Sequence, residues 1–395
     1  MKPTLRLRGM LLHCLFIISG ILSMQLSCKK VMETTGHAVT IEHNYDIAST
    51  CSAMFLEAKK DLSGKPFLYI AAKDAGLMIY AANGSSTPVA VIPVAVLHSL
   101  HVMNFSQSGD YLFLALGNHF GTAIQAPGMA IIDVKDPSHP LVKSFWQDIS
   151  RKGGAGIVET EGNFAYLGAM GNGLMIFDIS NKALPVLQSV FIPSIYYPDP
   201  KPDPKKFNAR GITIRNDLLY LCYDAGGLRI LNIADKKHPV EIGKYANPAM
   251  NGKPRAYNNV ALDDSLALVA FDYCGMEILD ISDPSNIKLV SWWNPWNCQS
   301  GPLNWFTSNG HCNDIVLDRA NQLVFLSSGK SDLQVVDISN PAKPVFKTEY
   351  GGVNNRMGTW GVSVSDKNIY LTYVCSFVPF YSNWTGVKVL SYTVN

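Results

Sequence analysis

GLRILNIADKKHPVEIGKYA, residues 227–246, sets the reading of the whole chain: an alternating strand, a polar turn closed by proline, then a second alternating strand. Near copies recur as GLMIFDISNKALPVLQSVFI (173–192), GMEILDISDPSNIKLVSWWN (275–294) and DLQVVDISNPAKPVFKTEYG (332–351). Weaker copies are GMAIIDVKDPSHPLVKSFWQ (128–147) and GLMIYAANGSSTPVAVIPVA (76–95). Such a period is read before anything else, because each copy is half of a unit that cannot bury its apolar face alone.

The unit is larger than the quoted stretch. A further strand pair precedes each copy, as in ARGITIRN and DLLYLCYD (209–224), so one unit is four short alternating strands, a to d. First strands begin near Ser52, Leu100, Ala155, Ala209, Asn258, Cys312 and Thr359. Third strands follow at Leu77, Met129, Leu174, Leu228, Met276, Leu333 and Val387. β-branched and aromatic residues alternate with period two, and no stretch sustains a helical period. Seven four-stranded units predict an all-β, seven-bladed β-propeller. The last unit ends at Asn395 without a strand d, while HAVTIEHNY (37–45) alternates and has no partner in the first unit. That segment is expected to supply the missing outer strand and cover an open edge.

Asp133, Asp178, Asp280 and Asp337, with Asn232 in the same place, close strand c. Short polar side chains there bond the backbone amides that follow and start a turn. Pro140, Pro185, Pro239 and Pro344 open strand d, where a missing amide donor is harmless. The repeated aspartates are turn builders rather than catalysts. VVDISNPAKPV (335–345), ILDISDPSNIKLV and IFDISNKALPV resemble the LVIVD-repeat family of bacterial exported β-propellers, over nearly all of residues 50–395. The resemblance implies a propeller in the cell envelope and no settled biochemical activity.

Composition agrees with a large core: hydrophobic residues make up 47% and charged residues 16% of 395. With 33 basic against 31 acidic residues there is no concentrated positive face, so nucleic acid is not an expected partner. Lys2, Arg6 and Arg8 followed by the apolar run 11–22 form a targeting segment, too short for a membrane span. Ser27-Cys28 looks like a lipoprotein cleavage junction, although Gln25 stands where that motif usually carries leucine. An ordinary secretory signal or an uncleaved anchor are the alternatives. The expected organisation is a signal at 1–27, a tether at 28–36 and one propeller domain at 37–395. Cys28 would carry the lipid, attaching the domain to the bacterial envelope at the outer membrane or in the periplasm.

Six further cysteines, 51, 222, 274, 298, 312 and 375, suit disulfides in an exported chain. Cys298 with Cys312 would staple a tryptophan-rich loop, worth about 3 kcal/mol in the chain-entropy model. Cys51 with Cys375 would join the first and last blades, and Cys274 competes for Cys312.

Four antiparallel strands put the a–b and c–d turns on one face and the b–c and d–a connections on the other. The long connections, 117–128, 375–386, 193–208, 247–257 and 294–310, are all of the second kind. Binding is expected on that face. Trp296 and Trp305 in WWNPWNCQSGPLNWFTSNGHCND (292–314) offer stacking surfaces for a sugar or flat ligand. Residues entering strand a surround the channel rim: His98, His101, Arg210, Asn258, His311, Asn313 and Trp360, with Asp224 and Asp272 at the ends of b strands. No compact metal-ligand spacing is present, so neither a metal nor a cofactor is expected. Nucleophile elbows, phosphate loops and His-Glu-x-x-His are likewise missing from the sequence. The expected function is non-catalytic binding of a glycan, small nutrient or partner protein on the long-loop face. The alternative is a glycan-cleaving hydrolase or lyase using His98, His311, Arg210 and Asp272.

Overall fold

The computed structural model describes residues 38–50, 54–301, 306–355, 357–375, 382 and 384–395. The segments expected as signal and tether, with Cys28, Cys51 and Trp305, lie outside the described residues. Seven four-stranded antiparallel sheets make the blades. Blade 4 shows the plan: a is Gly211–Arg215, b Leu218–Cys222, c Leu228–Asn232 and d Val240–Tyr245. The innermost strands of the seven blades are Glu57–Lys60, Val102–Ser108, Ile157–Glu161, Gly211–Arg215, Tyr257–Asp263, Asp314–Asp318 and Thr359–Ser365. Blade 7 is completed from the other end of the chain. Its third strand, Trp384–Val394, pairs antiparallel with Val39–Thr50, which sets Val39 opposite Val394 and Thr50 opposite Trp384. The closing strand thus runs five residues beyond the alternating 37–45 stretch, to Thr50.

There is no single core. Apolar clusters lie between successive blades, as where Leu228 and Ile230 of blade 4 meet Val260, Val269 and Phe271 of blade 5. Burial on both faces explains why the b strands read as almost unbroken apolar runs such as Leu266–Phe271, LALVAF. Outer strands are exposed or half-buried along their length, as in Val186–Phe191, because one side meets solvent.

The turn residues act as their chemistry requires. Asp133, Asp178, Asn232, Asp280 and Asp337 accept the amide two residues on, at 2.8–3.0 Å. A bulge recurs between c and d in blades 2 to 6, at Ile131/Ile132, Ile176/Phe177, Ile230/Leu231, Ile278/Leu279 and Val335/Val336. The kink raises the local twist. Beside it, Ser144, Ser189 and Ser291 donate their hydroxyls to Lys182 O, Lys236 O and Pro341 O, in the c–d turn of the next blade, at 2.8, 2.7 and 2.6 Å. Gly243 takes that position in blade 4, and a Cβ there would lie 1.9 Å from Pro284 O.

One cysteine expectation is corrected. Cys298 is bonded to Cys274, with 5.3 Å between Cα atoms, and Cys312 is a buried free thiol. Strand pairing sets the start of c opposite the end of d, Met276 against Trp293, so residues flanking that pair share one end of the blade. Cys312 instead starts blade 6, where its amide donates to Asp272 O at 2.8 Å and its thiol lies 3.5 Å from Ser328 Oγ. Burial pushes that thiol up to about 12. Cys375 is disulfide-bonded; its expected pairing with Cys51 falls outside the described residues.

Candidate functional site

The a strands begin at one mouth of the central channel, on the face that carries the long connections. Aligning the blades at x-Gly-Ile sets two rings of side chains around it. The outer ring includes Leu56, Met103, Arg210, Asn258, Asn313 and Trp360; the ring below includes Glu57, Asn104, Gly156, Asn259, Asp314 and Gly361. His119 and Phe120 reach in from the blade 2 connection. The space at the mouth is about 50 Å³, and a wider section of about 360 Å³ follows below, lined in part by Lys59, Glu159 and Thr213.

Most polar atoms of these rings hold neighbouring blades together. Asn258 Nδ2 donates to Cys312 O at 2.8 Å and Asn313 Nδ2 to Thr359 O at 3.0 Å. Asn104 Nδ2 donates to Glu57 Oε2 at 3.1 Å, and Asn104 Oδ1 accepts from Val158 N at 3.3 Å. Asp314 accepts from Asn259 Nδ2 at 2.5 Å and from Val362 N at 3.0 Å. Glycine appears in the second ring where neighbours close in: a Cβ on Gly361 would stand 2.6 Å from Leu56 O.

A few groups are left over. Glu57 Oε1, Asn313 Oδ1 and His119 Nδ1 are buried with no hydrogen-bond partner among the described residues. Glu57 is only 5% exposed, and Lys59 Nζ stands 3.7 Å from its Oε1. Burial pushes the Glu57 carboxyl up to about 8, against the pull of Lys59 and with help from Asp314 and Glu159. Glu159 and Asp314 are also raised, mainly by burial. His119 is held down at about 3 by burial, with Arg210 and Lys73 adding to it, so its ring is neutral. Arg210 is half-buried, its guanidinium 5.7 Å from the centre of the Trp360 ring. Among the described residues no carboxylate lies within ion-pair distance of it.

The other expected residues divide. Asp224 stands near Arg210 at the rim, accepts from Asn208 Nδ2 at 2.8 Å, and is raised to about 6 by burial against the opposing charge of Arg210. Asp272 bonds His311 Nδ1 at 2.9 Å, a geometry familiar in catalysis. His311 is 0% exposed and Asp272 3%, so the pair is closed to a substrate. His98 is not brought to the rim. It ends the short turn Val94–Leu97 with φ 54 and stacks 3.9 Å from Phe145 on an outer strand. His101 lies outside the mouth lining, lowered by burial with Lys73 adding to it. Trp296 packs on Trp293 and flat against Gly310, where a Cβ would sit 2.1 Å from its ring. Glu57, Asn104, His119 and Phe120 were not expected from the sequence. The first two belong to blades 1 and 2, whose a strands lack the guiding glycine, and the last two to a connection without a repeat. Among the described residues no group of three or more His, Cys, Asp or Glu is arranged for a metal.

Comparison with known proteins bears on the fold. The LVIVD repeat model matches residues 101–147, 152–191, 208–247, 254–294 and 324–351. No curated protein matches the chain. Among solved structures, the WD40 β-propeller domain of Doa1 is similar at 8% identity and a TM-score of 0.59, with 89% of this chain and 97% of that one covered. The β-propeller domain of Myceliophteria thermophila Cps50 (Swd1) is similar at 12% identity and a TM-score of 0.56, covering 87% and 99%. At such identities the likeness speaks for the fold alone. The chain is a seven-bladed β-propeller that carries LVIVD repeats in blades 2 to 6.

Proposed function

We propose that the protein is a non-catalytic binding module that takes a small polar ligand at the channel mouth on its long-loop face. The observation that supports this reading is the half-buried Arg210 guanidinium, with no carboxylate at ion-pair distance among the described residues, beside the aromatic face of Trp360. A cation held this way in a concave polar site commonly orients an oxyanion. The closed Asp272–His311 pair favours binding over turnover. The test is a thermal-shift screen of neutral sugars, sugar acids, simple carboxylic acids and amino acids. A ligand at about 100 times its Kd adds about 2.7 kcal/mol to stability, a readable shift. At least one class is expected to raise the wild-type midpoint and to lose that effect in Arg210→Gln. A screen without any shift, or a shift unchanged in Arg210→Gln, sinks the reading.

We also propose that Cys28 carries a lipid and tethers the propeller to the bacterial envelope. The motivation is the basic, apolar and Ser-Cys order of residues 1–28. Wild-type protein should sediment with membranes and Cys28→Ser should not; equal partition of the two would refute the anchor.

A further inference from the structure

The polar groups left uncommitted at the mouth do not share one chemistry. Blade 4 offers a guanidinium, Arg210, with no acid within ion-pair distance among the described residues, Asp224 being the nearby carboxyl. Blade 1 offers the opposite: Glu57 Oε1, an acceptor more than nine-tenths buried, with Lys59 Nζ 3.7 Å away and no hydrogen-bond partner among the described residues. Asn313 Oδ1 is a second buried acceptor in the same lining. In a ring of seven, blades 1 and 4 are as far apart as two blades can be, so these groups face each other across the channel.

The charges below point the same way. Glu57, Glu159 and Asp314 face the channel with Lys59 as the cation among them. Each of these carboxyls is destabilised as an anion by burial. A hydroxyl would supply one donor and no charge. An ammonium supplies three donors and the missing positive charge. The size fits too: at about 10–15 Å³ for each water position, the mouth holds about four waters. That is close to the five heavy atoms of an amino-acid main chain and too small for a saccharide chain. A side chain has room in the wider section below, about 360 Å³.

We infer that the mouth is built for a small zwitterion of the α-amino-acid class, its carboxylate on Arg210 and its ammonium toward Glu57 Oε1 and Asn313 Oδ1. This rests on reading the mouth as a ligand site. Trp360 and Phe120, 5.0 Å apart edge to face, form the aromatic wall beside the carboxylate end. Seating an ammonium against Glu57 requires its anion, so binding releases the proton that burial retains there. Affinity therefore rises from pH 6.5 toward 8, with Lys59, Glu159, Asp314, Arg210 and His119 as the neighbouring charged or titratable groups.

The test is calorimetric titration of the full-length protein with the standard α-amino acids, each beside its N-acetyl and carboxamide forms. At least one free amino acid should bind, and both capped forms about tenfold or more weaker, the scale of one lost hydrogen bond to a charged group. Arg210→Gln should erase the penalty for the carboxamide. Glu57→Gln, which keeps the shape without the charge, should erase the penalty for the N-acetyl form and flatten the pH dependence. Capped and free forms binding alike would overturn the inference. So would sugar acids or simple carboxylates binding while amino acids do not, although Arg210 would then still mark a ligand site. If nothing binds from any class, both this inference and the underlying reading fall.

Discussion

Asp332 departs from its own repeat. Four other blades place glycine at this point, Gly76, Gly173, Gly227 and Gly275, at φ between 75° and 91°. A Cβ on any of these four would lie 2.0–2.3 Å from a carbonyl of strand d. Asp332 holds φ 49 and ψ −109 with a side chain attached, a conformation that persists only where its surroundings enforce it. Its carboxylate is fully buried, bonded by Asn355 Nδ2 and by Tyr373 OH at 3.5 Å, while Oδ1 has no hydrogen-bond partner among the described residues. Burial raises this group to about 7, outweighing the bonds from Asn355, Gly352 and Tyr373. The folded value lies above the unfolded one of 3.8, so the stability it contributes is complete below about pH 4 and is lost as pH rises toward 7. Asp332→Asn removes the ionisation. The variant should gain stability over wild type between pH 5 and 8, on the order of a few kcal/mol at the alkaline end. Denaturant unfolding across that range checks it, and a constant difference between the two proteins would refute the assignment.

At the scale of strands and loops, legibility follows repetition. The c–d hairpins were readable because Asp or Asn, a two-residue step and Pro mark one turn in blade after blade, and those side chains accept the expected amides. The rim was readable where strand a keeps the spacing of the x-Gly-Ile pattern, with the glycine as in blade 4 or without it as in blades 5 and 6. Arg210, Asn313 and Trp360 line the mouth, as that alignment implies. In blades 1 and 2 the alignment slips: blade 1 starts its a strand at Glu57 rather than near Ser52, and a short turn before Val102 carries His98 to the outer flank. The Cys274–Cys298 bond was obscured for another reason. Proximity there comes from c–d pairing within blade 5, whereas Cys298 and Cys312 merely flank one loop in sequence. Trp296 shows the limit of composition as a guide, since a tryptophan-rich loop says nothing of which ring will lie on a glycine.

At the scale of the whole molecule, closure is the property on which the others depend. Each blade buries its faces against two neighbours, so an open ring would expose an apolar face on blade 1 and another on blade 7. The strand Val39–Thr50 prevents this by pairing along the whole of Trp384–Val394 and by placing Ile47, fully buried, among Phe55, Leu68, Val387 and Val389. The mouth inherits that dependence, because Glu57 and Trp360 belong to the two blades joined there. Ile47→Ala removes buried methyl groups at the seam and should cost about 2–5 kcal/mol. Deleting residues 38–50 goes further. It leaves the edge of Trp384–Val394 unpaired, and an exposed edge of that length recruits other chains. The deleted protein should melt lower and self-associate in light scattering, and a synthetic peptide of residues 38–50 should reverse both effects. A monomer with an unchanged midpoint would mean that the ring is held by its blade interfaces alone, with the terminal strand only laid along it.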